Sequence, residues 1–366
     1  MSVSERLRAA GITLPAPTAP GAVYVPTVQT GNLVFVAGHI ARREGKPVVG
    51  RLGAGMATAE GREAARAIAI DLMGTRVSVE LWADDAVRGR ELVAEVMSEY
   101  HRVDDEMSTY KPDSEISRVN AQAADGPMVI GDELFGLVER SLDLSRASGG
   151  AFDITYDSVG YLYDFRAHQR PTDSEIAARL PAVDYRHVVL DPKRHTIFFT
   201  TRGVRINLGG IAKGYVVERA AAMLRARGVE HALLNAGGDT RVIGDRRGQP
   251  WIVGIRHPRV ADEVVTRLPL VDEAISTAGD YERFFEENGH RYHHIINPAT
   301  GRPTEGILTV TVIGPDGTMT DGLDTAIFVL GVEKGLELIE HYPEYETIIV
   351  DSTGKVSYSK GLVDPN

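Results

Sequence analysis

Apolar and polar residues change period repeatedly along this chain, and each change marks an element. Thr75 to Trp82 (TRVSVELW) alternates, which predicts a half-buried strand. Asp84 to Asp105 carries a helical pattern, and Leu137 to Ser148 predicts a second helix closed by Gly149-Gly150. Val183 to Thr200 reads as two strands with an Asp-Pro turn between them. In the centre a strand, Val204–Leu208, runs into a Gly-Gly turn and a helix, Ile211–Arg227, that Gly228 ends. The strand Ala232–Asn235 leads to Gly237-Gly238-Asp239. Trp251–Arg256, Ala274–Thr277, His293–Ile296 and Leu308–Ile313 are further strands. Asp321–Leu330 and Glu333–His341 are helices split at Gly331, and Thr347–Asp351 with Val356–Tyr358 predicts a hairpin turning at Gly354. Strands and helices mix without strict alternation, which predicts an α+β fold of mixed β-sheets with packed helices.

Ahead of Thr75 the pattern is less regular. Pro15, Pro17, Pro20 and Pro26 forbid a helix. Leu33–Gly38 (LVFVAG) predicts a strand, with Lys46–Gly50 as its partner after a turn. Glu60–Met73 (EGREAARAIAIDLM) predicts a helix on Ala64, Ala67, Ile68 and Leu72. A short β-β-α segment therefore precedes the main unit, with a break at Met73.

Composition narrows the chemistry. The 366 residues, 43% hydrophobic and 25% charged, suit a globular chain of two or so domains. The absence of cysteine excludes disulfides, thiolate metal sites and a cysteine nucleophile. A formal charge of −11 repels polyphosphate backbones and sets nucleic acid aside as a partner. A small anionic ligand would need local cations, open backbone N–H groups or a metal to receive it. The opening MSVSERLRAAGITLP has no apolar core of a secretory signal, and no run approaches the roughly 18 apolar residues of a membrane helix. The expectation is a cytoplasmic protein without a membrane segment.

Five segments could carry chemistry. INLGGIAKGY (Ile206–Tyr215) places Lys213 in the first turn of a helix after two glycines, and open N–H groups at a helix start suit phosphate. It also reads as a plain strand–turn–helix with a solvated lysine. LNAGGDTRVIG (Leu234–Gly244) sets Asp239 beside a glycine turn, or is simply a turn needing positive φ. In MTDGLDTAIFVLG (Met319–Gly331), Asp321 and Thr325 share a helix face and supply the oxygen ligands that Mg²⁺ takes. The competing reading makes Thr320 or Asp321 an N-cap, with Asp324 in the first turn. RYHHIINPATGRP (Arg291–Pro303) sends His293 and His294 to opposite faces of a strand, so one is a candidate base and either is a candidate structural histidine. STAGDYERFF (Ser276–Phe285) says little alone.

Their joint order says more. With MSTYKPDSEISRVN (Met107–Asn120) and AFDIT (Ala151–Thr155), these segments resemble the ApbE-type family of FAD:protein FMN transferases, from Met73 to near the C-terminus. The resemblance implies an ApbE-like, T-fold-related domain over residues 73–366. It implies Mg²⁺ as cofactor, FAD as substrate, and an acceptor protein whose Thr or Ser hydroxyl receives FMN while AMP leaves. Asp321 and Thr325 match the Mg²⁺ side-chain ligands, and Gly210 matches the position lending a carbonyl. Tyr110 matches the ring that lies on the flavin. Met73, Ser114, Glu115 and Asp153 fall in segments bordering the FAD pocket. Lys213, Gly237, Gly238, Asp239 and Thr277 fall near the pyrophosphate and adenosine. His294 aligns with the histidine that deprotonates the acceptor, so the implied catalytic group is His294, Asp321 and Lys213. An FAD pyrophosphatase and a non-enzymatic flavin-binding module are the alternatives.

Some positions depart from that pattern. The family usually has Asp where Asn207 stands and Ser where Ala278 stands. Its segment after Asp153 usually reads P-T-V-G-P-L-V-N-L-W-G-F, against ITYDSVGYLYDF here (Ile154–Phe165), which makes Asp157, Ser158 and Tyr163 the odd positions. Residues 1–72 do not belong to that pattern. YVPTVQTGNLVFVAGH, GKPVVGRLG and the EAAR helix resemble the N-terminal half of Rid-type (YjgF) deaminase domains. The other half is missing, so the resemblance implies no deaminase activity. It implies instead a relic, or a packing segment through which the chain could oligomerise.

Overall fold

The computed structural model describes residues 75–260 and 263–362 in full, and before them the backbone of six short strands. The chain divides into two compact units, Met1–Ala57 and Thr58–Asn366. In the first, β1 (Thr27–Thr30) pairs antiparallel with β2 (Leu33–Val36), and β3 (Arg42–Arg43) with β4 (Lys46–Pro47). The strand expected at Leu33 is present, and β4 pairs with β3 instead of with it. Of the EAAR segment in the Rid-type resemblance, Ala65–Arg66 is described and is strand rather than helix, and the rest of the resemblance lies outside the described residues.

The second unit opens with a correction. The helix expected over Glu60–Met73 is strand wherever it is described: β5 (Ala65–Arg66) and β6 (Ile70–Leu72) both pair antiparallel with β7 (Thr75–Leu81). Ile68, Ile70 and Leu72 also recur at period two, and pairing Leu72 with Thr75 satisfies backbone groups that a lone helix turn would not. By this pairing residues 65–72 share the unit of β7, whereas the two resemblances divide the chain at 72/73.

The main sheet has nine strands in the order β22-β21-β20-β15-β12-β11-β7-β5, with β6 also on β7. Its members include β11 (Ala232–Ala236), β12 (Asp239–Ile243), β15 (Ala274–Gly279), β20 (Ile307–Gly314), β21 (Glu346–Asp351) and β22 (Val356–Tyr358), and every pairing is antiparallel. Alternation assigns the two faces. Val310, Val312 and Ile349 enter the main core, while Ile313, Ile348 and Val242 enter a second cluster on the other face with Trp251, Ile255 and Leu270. That face is covered by the hairpin of β13 (Trp251–Arg256) and β14 (Val264–Leu270).

The main core lies between the sheet and helices. These are α1 (Ala86–Met107), α2 (Glu115–Gln122), α3 (Asp132–Ala147), α6 (Ala212–Ala226), α7 (Gly317–Leu330) and α8 (Val332–Glu340), while the single turn α4 (Asp157–Gly160) and α5 (Asp173–Arg179) pack a separate small cluster through Val159 and Ile176. The arrangement is α+β, as the mixed pattern implied. Helix α7 begins one turn earlier than expected because Asp316 caps it, accepting from the N–H groups of Thr318 (2.8 Å) and Met319 (3.2 Å). This removes the N-cap reading of Thr320 and Asp321 and leaves Asp321 inside the helix.

Two expected strands change. His293–Ile296 divides into β17 (His290–His293), paired with β16 (Phe284–Glu287), and β18 (Ile296–Asn297), paired with β19 (Arg302–Pro303). Val204–Leu208 joins no ladder. Its backbone is held mainly by side chains: Asn120 accepts from Ile206 N (2.7 Å) and donates to Ile206 O (2.9 Å), and Ser158 Oγ accepts from Arg205 N (2.9 Å), while Asn207 N donates to Ile154 O (2.9 Å). A small sheet orders β8 (Met128–Val129), β10 (Thr196–Phe199) and β9 (Val188–Asp191), so the Asp-Pro hairpin is present. Among the described residues no helix is long and apolar enough to cross a membrane.

Candidate active site

The strap 204–208 aims the start of α6. Asn207 Oδ1 accepts from Gly209 N (2.8 Å), and Leu208 O accepts from Ile211 N and Ala212 N, which turns the chain into the helix. Lys213 follows in the first turn. Helix α6 then meets α7 at glycine: a Cβ on Gly214 would lie 2.0 Å from Gly317 O and 2.7 Å from Asp321 Cβ. Only the absence of a side chain lets the two backbones approach this closely. The contact brings Asp321 Oδ2 to 2.9 Å from Gly214 N and Asp321 Oδ1 to 3.1 Å from Lys213 Nζ.

The hairpin β11–β12 brings in a second acid. Gly237 takes φ 71°, in the left-handed region, and its N–H donates to Arg76 O at 2.8 Å. Gly238 lies against Thr277 O, 2.6 Å from where a Cβ would sit. Beyond the turn Asp239, buried, accepts from Lys213 Nζ at 2.6 Å. Ser276 on β15 donates to Asp239 Oδ1 and lies 2.5 Å from Asp324 Oδ2. A hydroxyl has one proton, so the second bond needs a proton on a carboxyl. Asp324 is the better holder of it: burial, with the charges of Asp321 and Asp239, pushes its carboxyl well above the usual range.

Asp239, Asp321 and Asp324 thus form a buried acidic cluster, each offering a carboxylate oxygen within 4.8 Å of the others. Burial and then the charge of Asp239 raise Asp321 as well. Lys213 stays protonated despite burial, because Asp239, Asp321 and Asp324 surround it. Thr325 Oγ1 donates to Asp324 Oδ1 (3.2 Å), and Gly210 packs on Thr325, 3.1 Å separating its Cβ position from Oγ1. Hard oxygens converging in a buried, acid-rich site suit a small divalent cation such as Mg²⁺. The fold therefore brings together Gly210, Lys213, Asp239, Asp321 and Thr325. Asp324 and Ser276 are members that the sequence pattern does not reveal. Asp324 stands three residues after Asp321, where local pattern makes it only a helix-start residue.

His293 closes β17 and His294 follows outside the strand, so the expected alternation across a strand does not apply to them. His293 is buried and committed: its Nε2 bonds Thr304 O (2.7 Å) and its Nδ1 accepts from Ile295 N (3.3 Å). These bonds end β17 and account for the divided strand. His294 is half-buried. Its Nδ1 is inaccessible to solvent and has no hydrogen-bond partner. Burial, followed by the charge of Arg283, pushes the imidazole down to about 3, so it is neutral at pH 7.

The remaining implied residues have contacts of their own. Tyr110 is 84% exposed. Ser114 caps α2, accepting from Ser117 N (3.1 Å) and donating to Ser108 O (2.8 Å). Glu115 accepts from Gly131 N at 2.8 Å. Asp153 accepts from Thr155 N and Tyr185 N (both 2.8 Å) and from Thr155 Oγ1 (2.6 Å). Thr277 Oγ1 lies 2.9 Å from Thr311 Oγ1. The side chains of Ser114, Glu115 and Asp153 are thus tied within the fold. Met73 lies outside the described residues. Two open hollows, of about 420 Å³ beside His257 and Arg259 and about 220 Å³ beside Tyr163 and Tyr292, include none of the acidic cluster. The convergence of ionisable groups, more than hollow size, marks the site.

Comparison with known proteins agrees with the geometry. The model of the ApbE family matches residues 73–349. The chain is 33% identical over 276 residues to the FAD:protein FMN transferase of Treponema pallidum, covering 70% of this chain and 76% of that one. It is 32% identical to the enzyme of the same description from Vibrio cholerae, covering 73% and 82%. Among solved structures, the ApbE protein of Thermotoga maritima superposes with a TM-score of 0.74 at 30% identity, covering 82% of this chain and 97% of that one. The flavin transferase ApbE of Vibrio cholerae superposes with a TM-score of 0.72 at 30% identity, covering 81% and 98%.

Proposed function

The chain belongs to the ApbE family, and on that premise we propose that it cleaves FAD and transfers the FMN half to a Thr or Ser hydroxyl of an acceptor protein. The observation that carries this reading is the buried Asp239–Asp321–Asp324 cluster around Lys213, with Thr325 and Gly210 beside it. Such a site receives a pyrophosphate through cations and fixed dipoles, and phosphoryl transfer depends chiefly on positioning and charge stabilisation.

In this reading Asp321, Thr325 and the carbonyl of Gly210 would hold Mg²⁺, with Asp239 and Asp324 beside them. The bound ion would offset charge on the pyrophosphate oxygens. Lys213, fixed by Asp239 and Asp321, adds a second positive charge at the same place. Tyr110 offers an exposed ring for the flavin. The acceptor hydroxyl oxygen bonds to the FMN phosphorus as the bond from that phosphorus to the AMP oxygen breaks, and the hydroxyl proton passes to the His294 imidazole. That ring is neutral at pH 7. Burial, then the charges of Arg283, His293 and Lys213, hold its basicity down, and a bound pyrophosphate would oppose the two cations. Ser114, Glu115 and Asp153 act one step back, holding the pocket walls.

The test is incubation with FAD, Mg²⁺ and an acceptor protein carrying a D-x-x-T/S-G-A-T-type segment, followed by chromatography and in-gel flavin fluorescence. AMP with protein-bound flavin is expected. AMP with free FMN would make the protein a pyrophosphatase, and unchanged FAD would reduce it to a binding module. For residues 1–72 we keep the Rid-type resemblance as a packing and oligomerisation segment without deaminase activity. An unchanged oligomeric state in a chain begun at Thr58 would remove that role.

A further inference from the structure

Side chains from three separate elements meet at Asn207. Its Nδ2 donates to Asp157 Oδ1 at the start of α4 and to Thr109 Oγ1 after α1, each at 3.2 Å. Its Oδ1 accepts from Gly209 N (2.8 Å), and its backbone N–H donates to Ile154 O (2.9 Å). Both amide protons and the amide oxygen are therefore in use. Asp157 is 4% exposed, and its other oxygen faces Arg205 Nε at 3.2 Å. Arg205 in turn lies over the ring of Tyr161, 4.7 Å from its centroid.

The placement matters because each partner adjoins a residue of the site. Thr109 precedes Tyr110. Gly209 precedes Gly210, and the turn leads directly to Lys213. Asn207 is thus the tie between the wall that presents the aromatic ring and the turn that starts the cationic helix. Across the bond between 207 and 157 one side is an amide and the other a carboxylate.

We propose that Asn207 and Asp157 form a complementary positioning pair, in which one carboxylate and one amide hold the Thr109–Tyr110 wall and the Gly209-Gly210 turn in register for FAD. The proposal rests on the reading of the chain as an FAD-cleaving enzyme. Neither residue is placed on a reacting atom; both act through Tyr110 and the turn. Asn207→Asp would set two carboxylates 3.2 Å apart with one of them buried, and the wall and turn would separate. Moving the amide to 157 at the same time restores one acid and one amide.

Four full-length proteins test this: wild type, N207D, D157N and N207D/D157N. Each is measured for melting temperature, FAD affinity by quenching of flavin fluorescence, and kcat and KM for AMP release. N207D is expected to lose at least tenfold in FAD affinity and in kcat/KM, with the larger part in KM, and the double variant to return within threefold of wild type. N207D within threefold of wild type overturns the pair. So does a double variant that is unfolded or no better than N207D. A lower melting temperature without the KM change also overturns it, since a merely structural bond would give that. Wild-type protein that binds FAD and leaves it intact defeats the transferase reading alone, because the affinities of the four proteins still report on the pair.

Discussion

Replacing Gly214 by alanine adds one methyl group where the structure has no room for it. The new carbon would sit 2.0 Å from Gly317 O and 2.8 Å from Gly317 C, and both are backbone atoms that no rotamer change can move. Ordinary contact begins at 3.4 Å, so α6 and α7 must part by about 1.4 Å at this point. Overpacking of this kind costs about 1–3 kcal/mol. The larger consequence is geometric. Lys213 Nζ to Asp321 Oδ1, now 3.1 Å, would open beyond ion-pair range, and the 2.9 Å bond from Gly214 N to Asp321 would be lost. Misplacement by about 1 Å at a site of this type can cost on the order of 100-fold in rate. Gly317→Ala supplies the control. Its methyl would meet Gly214 O at 3.0 Å and the Val217 side chain at 3.3 Å, a far smaller conflict. The assay is AMP release from FAD together with a thermal melt for both variants. Gly214→Ala should lose most activity while remaining folded, and Gly317→Ala should stay near wild type. Equal effects would refute the claim that the glycine contact sets the Lys213–Asp321 distance.

Three other outcomes are expected from the same geometry. Asp321→Asn should abolish AMP release and remove the thermal stabilisation by Mg²⁺, which for the wild type should reach about 2.7 kcal/mol at 100 times Kd; a Mg²⁺-dependent melt surviving in the variant would place the ion elsewhere. His294→Ala should fold, bind FAD and fail to flavinylate an acceptor, and normal transfer would remove His294 as the base. Asp157 is held up to about 6 by burial, above its ordinary 3.8. The folded state therefore binds the proton more tightly, and stability falls as pH rises between those values, by about 3 kcal/mol at most. Denaturant titrations of wild type and D157N across pH 4 to 7 should show the wild type alone losing this increment.

The sequence was most informative where one element satisfies itself. Helix α6, its closing glycine at 228 and the hairpin around Gly354 follow from local period and turn chemistry. It was less informative where partners lie far along the chain. Val204–Leu208 has the composition of a strand, but its backbone partners are Asn120 and Ser158, which no local window contains. Residues 65–72 satisfy a helical and a two-residue period together, and pairing with β7 decided between them. In the site, Asp321 and Thr325 were legible because they share one helix. Asp324 and Ser276 were not, since their roles depend on β12, β15 and α7 converging. The close approach at Gly214 left no trace beyond a glycine in a helix.

The pairing of β5 and β6 with β7 separates two meanings of a domain boundary. By resemblance the catalytic unit starts at Met73, and a fusion or truncation designed from homology would cut there. Such a cut would strip β7 of its outer neighbours and turn it into a sheet edge with unmet N–H and C=O groups, an invitation to self-association. That edge is adjacent to chemistry, because Arg76 O on β7 anchors the Gly237 turn that carries Asp239. In this chain the strands just ahead of the family boundary are stitched into the sheet beside the reactive centre. Modular transplantation of the enzyme would have to carry those strands along.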